Sequence, residues 1–290
     1  MKKFTIIGIS AFWAFTLLSC GNNKVSKPAE PWTPLTIVTE EIVIPEKDGV
    51  PQYTVLEKTQ YSLSKFAIDK DGYYILFDGT TFNGWRGYNR DDVPKKWILD
   101  DGAIKCAGGG ARETRETDGG DLLFGHKFKN FELSVDWKAS QGSNSGILYL
   151  AREIKGEPMY ISGPESQIMD ATGRPANRPI PANKSSSSLY DMIAADPQNA
   201  KPAGEWNNTT ITVLNGNVTH FQNGVKVVEY QLWTPRWTEM IQGSKFKQGG
   251  EFPLAFELMN NLGGSNREGY FGLQDHESDI WFRNIKIKIL

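Results

Sequence analysis

Two Asn-Gly pairs set 22 residues apart from any helical reading: Thr209–Leu214 runs into Asn215-Gly216, Val218–Gln222 follows, and Asn223-Gly224 leads to Val225–Tyr230. Two-residue hairpin turns need positive φ at both central positions, which Asn and Gly adopt readily, so this stretch predicts two successive hairpins. From Asn130 to Lys138, Phe131, Leu133, Val135 and Trp137 alternate with Glu132, Ser134, Asp136 and Lys138, the pattern of a strand with one buried face. Further strands are expected at Thr36–Ile44, Gly146–Leu150, Glu165–Asp170, Tyr270–Gln274 and Trp281–Ile289. Nine Trp, ten Tyr, fifteen Phe and 29 Gly suit strands and turns. One helix is expected, with Thr234 as cap, Pro235 at the first position, Trp237, Met240 and Ile241 on one face, and Gly243 at its end. Many short strands with few helices imply an all-β sandwich.

The N-terminus reads as a leader. Lys2 and Lys3 precede an apolar run from Phe4 to Leu18, and Leu17-Leu18-Ser19-Cys20 follows the layout of a lipoprotein cleavage site. The run is shorter than the ~20 residues of a spanning helix. Residues 1–19 are therefore expected to be a signal peptide and Cys20 a lipid anchor, the alternative being an ordinary cut near Ser19 with Cys20 a bystander. No acidic pair follows Cys20, which favours the periplasmic side of the outer membrane. Residues 20–35, with Pro28, Pro31 and Pro34, read as a tether. Residues 36–71 form an extension whose packing the sequence leaves open, and 72–290 the main domain. Without Lys2 and Lys3 the 32 basic residues become 30 against 34 acidic ones, a net charge near −4. A mild acidic balance without a basic run argues against nucleic acid as partner. Lipidation of Cys20 leaves Cys106 without a disulfide partner, either a reactive thiol or a small buried residue in a strand.

Several polar positions are candidates for chemistry. Alternation along Glu165-Ser166-Gln167-Ile168-Met169-Asp170 puts Glu165, Gln167 and Met169 on one face, Ile168 and Asp170 on the other. Acid and amide side by side suit sugar hydroxyls, or simply a solvated sheet face. Glu205-Trp206 pairs a carboxylate with a ring that could stack on a pyranose or anchor the core. His276, in Gln274-Asp275-His276-Glu277, offers an imidazole for proton transfer near neutral pH. His126 reads as a surface turn residue and His220 as a structural member of a hairpin strand. No His-x-x-x-His, Cys-x-x-Cys or EF-hand spacing occurs, so no transition-metal site or other cofactor is expected; calcium on loop oxygens stays open. There is no Gly-x-Ser-x-Gly elbow, and Gly108-Gly109-Gly110 lacks the Lys-Ser/Thr of a phosphate loop, which leaves it as a turn.

Ten motifs then occur in order: Leu76-Phe77-Asp78-Gly79, Asn83-Gly84-Trp85-Arg86-Gly87, Asp101-Gly102-Ala103, Asn130-Phe131-Glu132-Leu133, Asn144-Ser145-Gly146-Ile147, Pro164-Glu165-Ser166-Gln167, Lys201-Pro202-Ala203-Gly204-Glu205-Trp206-Asn207, Gln222-Asn223-Gly224, Gly272-Leu273-Gln274-Asp275-His276 and Trp281-Phe282-Arg283-Asn284-Ile285. From about residue 72 to 290 the chain resembles the 3-keto-disaccharide hydrolase domain family. The resemblance implies a concanavalin-like jelly roll with one or two short helices, acting on glycosides oxidised at C3. In such sugars the ketone acidifies the C2 hydrogen, so a base can form an enolate that expels the C1 oxygen before water adds. Carried onto this chain, the resemblance implies Glu165 and Glu205 as acid and base, and His276 in proton transfer or enolate stabilisation. Asn144, Gln167, Asp170, Trp206 and Gln274 become substrate contacts, and Arg283 either an anion clamp or a structural ion-pair partner. Two rivals stand beside this reading. One is a conventional two-carboxylate glycosidase, the other a non-catalytic carbohydrate-binding module.

Overall fold

The computed structural model describes residues 32–108, 118–171, 177 and 179–290. The leader, Cys20, most of the tether, and Gly109 and Gly110 of the expected glycine turn lie outside the described residues. The strands are β1 (Thr39–Ile44), β2 (Tyr53–Lys58), β3 (Tyr74–Ile75), β4 (Trp85–Gly87) and β5 (Trp97–Asp100). Next come β6 (Ala103–Cys106), β7 (Leu122–Phe124), β8 (Phe131–Ala139), β9 (Asn144–Ala151) and β10 (Glu165–Met169). β11 (Trp206–Leu214), β12 (Asn217–Gln222), β13 (Val225–Gln231), β14 (Tyr270–Leu273) and β15 (Ile280–Ile289) complete them, with helices α1 (Pro235–Gln242) and α2 (Ala255–Asn260) between β13 and β14.

The alternating segment at residue 131 becomes β8 and sits mid-sheet, in the order β13-β12-β11-β8-β15-β6-β5, with β3 also on β15. Its residues alternate buried and half-buried from end to end. The two Asn-Gly turns form as expected, with Asn215 at φ 51°, Gly216 at 81°, Asn223 at 48° and Gly224 at 80°. The second sheet runs β10-β9-β14-β7-β4. Trp137, Ile211 and Phe282 from the larger sheet meet Ile147, Tyr149, Phe271 and Leu273 from the smaller one in the main core. This is a jelly-roll β-sandwich. Thr234 caps α1 as expected, its hydroxyl accepting from Trp237 N at 3.2 Å.

The smaller sheet is buried on both faces. Leu148, lying between Ile147 and Tyr149 in the strand, belongs with Tyr88, Leu123, Ala151, Met159 and Tyr270 to a second apolar cluster on the outer face. The period of two thus sends Ile147 and Tyr149 into one core and Leu148 into another, until Leu150, at φ 53°, joins Tyr149 in the main core, and the strand reads as a nearly continuous apolar run.

His220 is fully buried between the sheets, bonded to the Tyr149 hydroxyl at 2.7 Å and to Ser187 O at 2.9 Å. Burial drives its pKa down to about 4, so the ring is neutral. Cys106 is buried too, and its Sγ donates to Asp275 Oδ1 at 3.4 Å; burial pushes the thiol far above its usual range, which argues against reactivity. Ser185 to Ser188 close the free edge of β10. Gln167 N donates to Ser188 O, Ser187 N to Gln167 O, and Met169 N to Ser186 Oγ.

Residues 36–71 pack on the sandwich. β2 lies along residues 153–155, with Leu56 N donating to Glu153 O and Lys155 N to Thr54 O. Trp32 stacks on Tyr61 and meets Phe66 edge-on, and Phe66 meets Phe124 of β7. No helix among the described residues is long and apolar enough to cross a membrane.

Candidate active site

Five strands place one residue each in a row across the outer face of the smaller sheet: Glu165, Leu148, Gly272, Leu123 and Arg86. Glu165 begins the row and is 5 % exposed. Its side chain lies along the sheet over Gly146, where a Cβ would stand 2.2 Å from Glu165 Oε1 and 2.6 Å from its Cδ. Gly146 therefore acts by what it lacks: it makes the berth of the carboxyl. Its φ is not positive, so alanine is permitted by the backbone and forbidden only by Glu165. Gly146→Ala is expected to fold, to displace the carboxyl, and to lower kcat by about 10²-fold, the cost of an ångström-scale misplacement; kinetics alongside a thermal melt check this.

Desolvation raises the Glu165 pKa well above the carboxylate range; the Lys245 cation opposes this and Asp121 adds to it. Asp121 stands just before β7 and keeps part of its surface in the adjoining cleft, yet its carboxyl is enclosed enough for desolvation to push its pKa to about 7. It accepts from Asp275 N at 2.9 Å. Asp275 in turn is held by Lys96 at 3.5 Å and by Gly120 N at 3.0 Å. Lys245 reaches the same region from the loop after α1, its pKa lowered by burial. Two carboxyls with raised proton affinity beside a partly buried cation suit proton transfer near neutral pH.

The cleft beside this cluster holds about 740 Å³ and is bordered by Tyr88, Lys96, Asp121, Tyr160, Gln274 and His276, among others. A groove elsewhere, bordered by Trp32, Phe66 and Asp78, carries none of these acids, so chemistry points to this cleft. His276 is exposed at its rim, and Gln274 is buried in its wall with its N–H donated to Gly146 O at 3.0 Å. Gln167 and Asn144 share the face with Glu165, by alternation and by the pairing of Met169 with Asn144. Gln167 Nε2 and Asn144 Oδ1 are buried with no hydrogen-bond partner, the state of groups that a ligand would complete.

Glu205, Trp206, Arg283 and Asp170 do not join this cluster. Glu205 is exposed at the start of β11, in the other sheet. Trp206 pairs in register with Lys138 on that sheet's outer face, where Lys138 and Arg283 stack on its ring at 5.1 and 3.8 Å. The two strands' period of two sends this row away from the core and from the smaller sheet. Asp170 accepts from Gly142 N at 2.7 Å and ties a turn. Asp121, Lys245 and Tyr160 were missed: each is a single residue in an irregular segment, and no spacing in the chain marks them. Among the described residues no three His, Cys, Asp or Glu side chains gather at metal-binding range.

A sandwich with buried acids and orphaned amides on one sheet face defines a carbohydrate-active jelly roll. The chain belongs to the 3-keto-alpha-glucoside-1,2-lyase-like domain family, whose model matches residues 72–288. It is 53% identical over 245 residues to a 3-keto-disaccharide hydrolase of Bacteroides thetaiotaomicron, covering 81% of this chain and 84% of that one. Two crystal structures of provisionally assigned glycosyl hydrolases from Parabacteroides distasonis are similar. One has a TM-score of 0.63 at 27% identity over 76% of this chain and 94% of its own. The other has a TM-score of 0.52 at 26% identity over 72% and 100%.

Proposed function

We propose that this chain cleaves the glycosidic bond of 3-keto-disaccharides and related 3-keto-glycosides, by elimination across C1 and C2 followed by addition of water. The observation that carries the reading is the Glu165 carboxyl, buried over Gly146 on a face that also bears Asp121 and unpaired amide groups. A base of raised pKa matches the task, because a C2 hydrogen acidified by the ketone needs a stronger base than an ordinary carboxylate. Ionised Glu165, the form that the Lys245 cation favours against desolvation, takes that proton. The departing C1 oxygen receives one from Asp121, whose carboxyl retains its proton close to neutrality, with His276 at the rim as the exchange point with water. Gln167, Asn144 and Gln274 hold hydroxyls.

The conventional two-carboxylate mechanism with Glu165 and Glu205 requires the two carboxyls to flank one bond at roughly 5–9.5 Å, and these lie on different sheets. A purely binding role leaves the raised proton affinities of Glu165 and Asp121 without use. The leader and Cys20 support export and lipid anchoring on the periplasmic side of the outer membrane, with the tether as the link; palmitate labelling lost in Cys20→Ala would support it, and labelling unchanged would overturn it. The test of activity is incubation with a 3-keto-disaccharide and its unoxidised parent. Sugar is expected from the keto compound alone; release from both at similar rates would favour the conventional glycosidase, and release from neither would overturn the proposal.

A further inference from the structure

Lys245 sits in a cage of rings. Its Nζ lies 4.4 Å from the centroid of Tyr160, 4.6 Å from Tyr190, 5.0 Å from Phe246 and 5.8 Å from Phe252. Tyr160 borders the cleft, and Tyr190 is tied to the strand that carries the base, its N–H donated to Glu165 O at 3.0 Å. The backbone of the cage is fixed as well, since Lys245 N donates to Asp191 Oδ2 at 2.8 Å and Asp191 pairs with Lys184. Yet among the described residues no carboxylate stands within 4.0 Å of Nζ, and no side chain or carbonyl accepts its hydrogens. A lysine that is only structural is normally paired or solvated. This one is partly buried among ring faces, and its three donors meet no acceptor among the described residues.

We propose that the Lys245 ammonium binds the C3 oxygen of the keto sugar and takes up the negative charge that develops there as the C2 proton leaves. The inference rests on the functional reading above and assigns the electrophile that it lacks. The electrons balance without an oxidant or a metal. Glu165 takes the C2 proton, the C–H pair becomes the C2–C3 double bond, and the carbonyl pair moves onto the C3 oxygen beside the ammonium. On return, that charge re-forms the ketone, the C2 pair forms the C1–C2 double bond, and the C1–O pair leaves with the aglycone oxygen, which is protonated.

The cage explains why a cation is used, and as a cation. Ring faces and the nearby carboxylates of Glu165, Asp191 and Glu251 favour the charged amine, while burial and Lys184 oppose it. Ring faces accept no ordinary hydrogen bond, so the N–H donors remain for an oxygen that enters the site. An alcohol at C3 could accept the same hydrogen bond, but only a ketone develops charge there, so Lys245 acts mainly in the transition state.

The test uses the whole protein and a 3-keto-disaccharide. Lys245→Met is expected to lower kcat by about 10²–10³-fold, the usual cost of removing one oxyanion donor, with KM changed by less than about threefold. Lys245→Cys alkylated with 2-bromoethylamine restores the charge at nearly the same reach and is expected to recover most of kcat, which a packing role would not predict. A Met variant that keeps its kcat, or borohydride trapping of substrate on Lys245 as a reduced imine, would overturn the proposal. If the wild type itself releases no sugar, the functional reading fails instead. Calorimetry then still decides about Lys245: tighter binding of the anionic nitronate of a 3-deoxy-3-nitro disaccharide, a mimic of the enolate, than of the neutral parent, lost in Lys245→Met, supports the assignment, and equal affinities in the wild type or an unchanged preference in the variant refute it.

Discussion

Glu165→Gln is expected to lower kcat for cleavage of a 3-keto-disaccharide by about 10³-fold, within the range for loss of a general base, while leaving the fold as stable as before or more so. The amide has the shape of the carboxyl and fits the same berth over Gly146, so packing is conserved. What disappears is the ability to accept a proton, and also the cost of ionising a carboxyl in a desolvated site. The sign of the second effect follows from the raised pKa. Above the unfolded value the unfolded chain releases this proton while the folded one keeps it. The native state then binds more protons, and stability falls as pH rises until the folded group ionises. Urea unfolding at pH 5 and pH 8 should show the wild type losing stability against Glu165→Gln over that interval, Lys245 moderating the loss. A variant that is inactive and unstable at every pH would make Glu165 a structural residue.

The strands were legible because their signals are local. Asn215-Gly216 and Asn223-Gly224 encode their own φ angles, β8 declares its buried face by alternation, and Thr234-Pro235 announces α1. β9 was underestimated at both ends because its residues are buried on two faces, which hides the period of two. In the site, alternation was enough to align Glu165 with Gln167. It could not say which sheet β11 joins, so Glu205 and Trp206 seemed to accompany them although they stand on the other sheet. Lys245 and Asp121 were out of reach for another reason: they come to Glu165 through loops from 80 residues downstream and 44 upstream. Tertiary approach of this kind leaves no trace in spacing. Gly146 carried a signal of sorts, a glycine inside a strand, which often marks a close approach.

The far end of the same cross-strand row supports the second large prediction. Arg86, 1 % exposed, sits opposite Glu165 across the sheet, and Glu153 receives it at 2.7 and 2.5 Å through both oxygens. Asn89 N also donates to Glu153 at 2.8 Å, and Lys58 at the end of β2 stands 3.9 Å away while pairing with Asp91. One buried carboxylate thus joins β4, the turn after it, and the N-terminal hairpin to the floor of the site. Glu153→Leu leaves the guanidinium without its partner in a place water does not reach, and is expected to cost about 3–5 kcal/mol, the price of breaking a buried pair from one side. Arg86→Met alone strands the carboxylate less completely, because Asn89 and Lys58 still reach it. The double variant removes both charges and is expected to recover much of the loss, since a buried pair replaced by apolar groups of like size is often nearly neutral. Urea midpoints for the four proteins close the cycle; single and double variants of equal stability would show that the pair contributes only packing. If recovery of stability comes without recovery of activity, the pair's function is to hold the row straight, so that Glu165 at its other end meets the substrate at the right height.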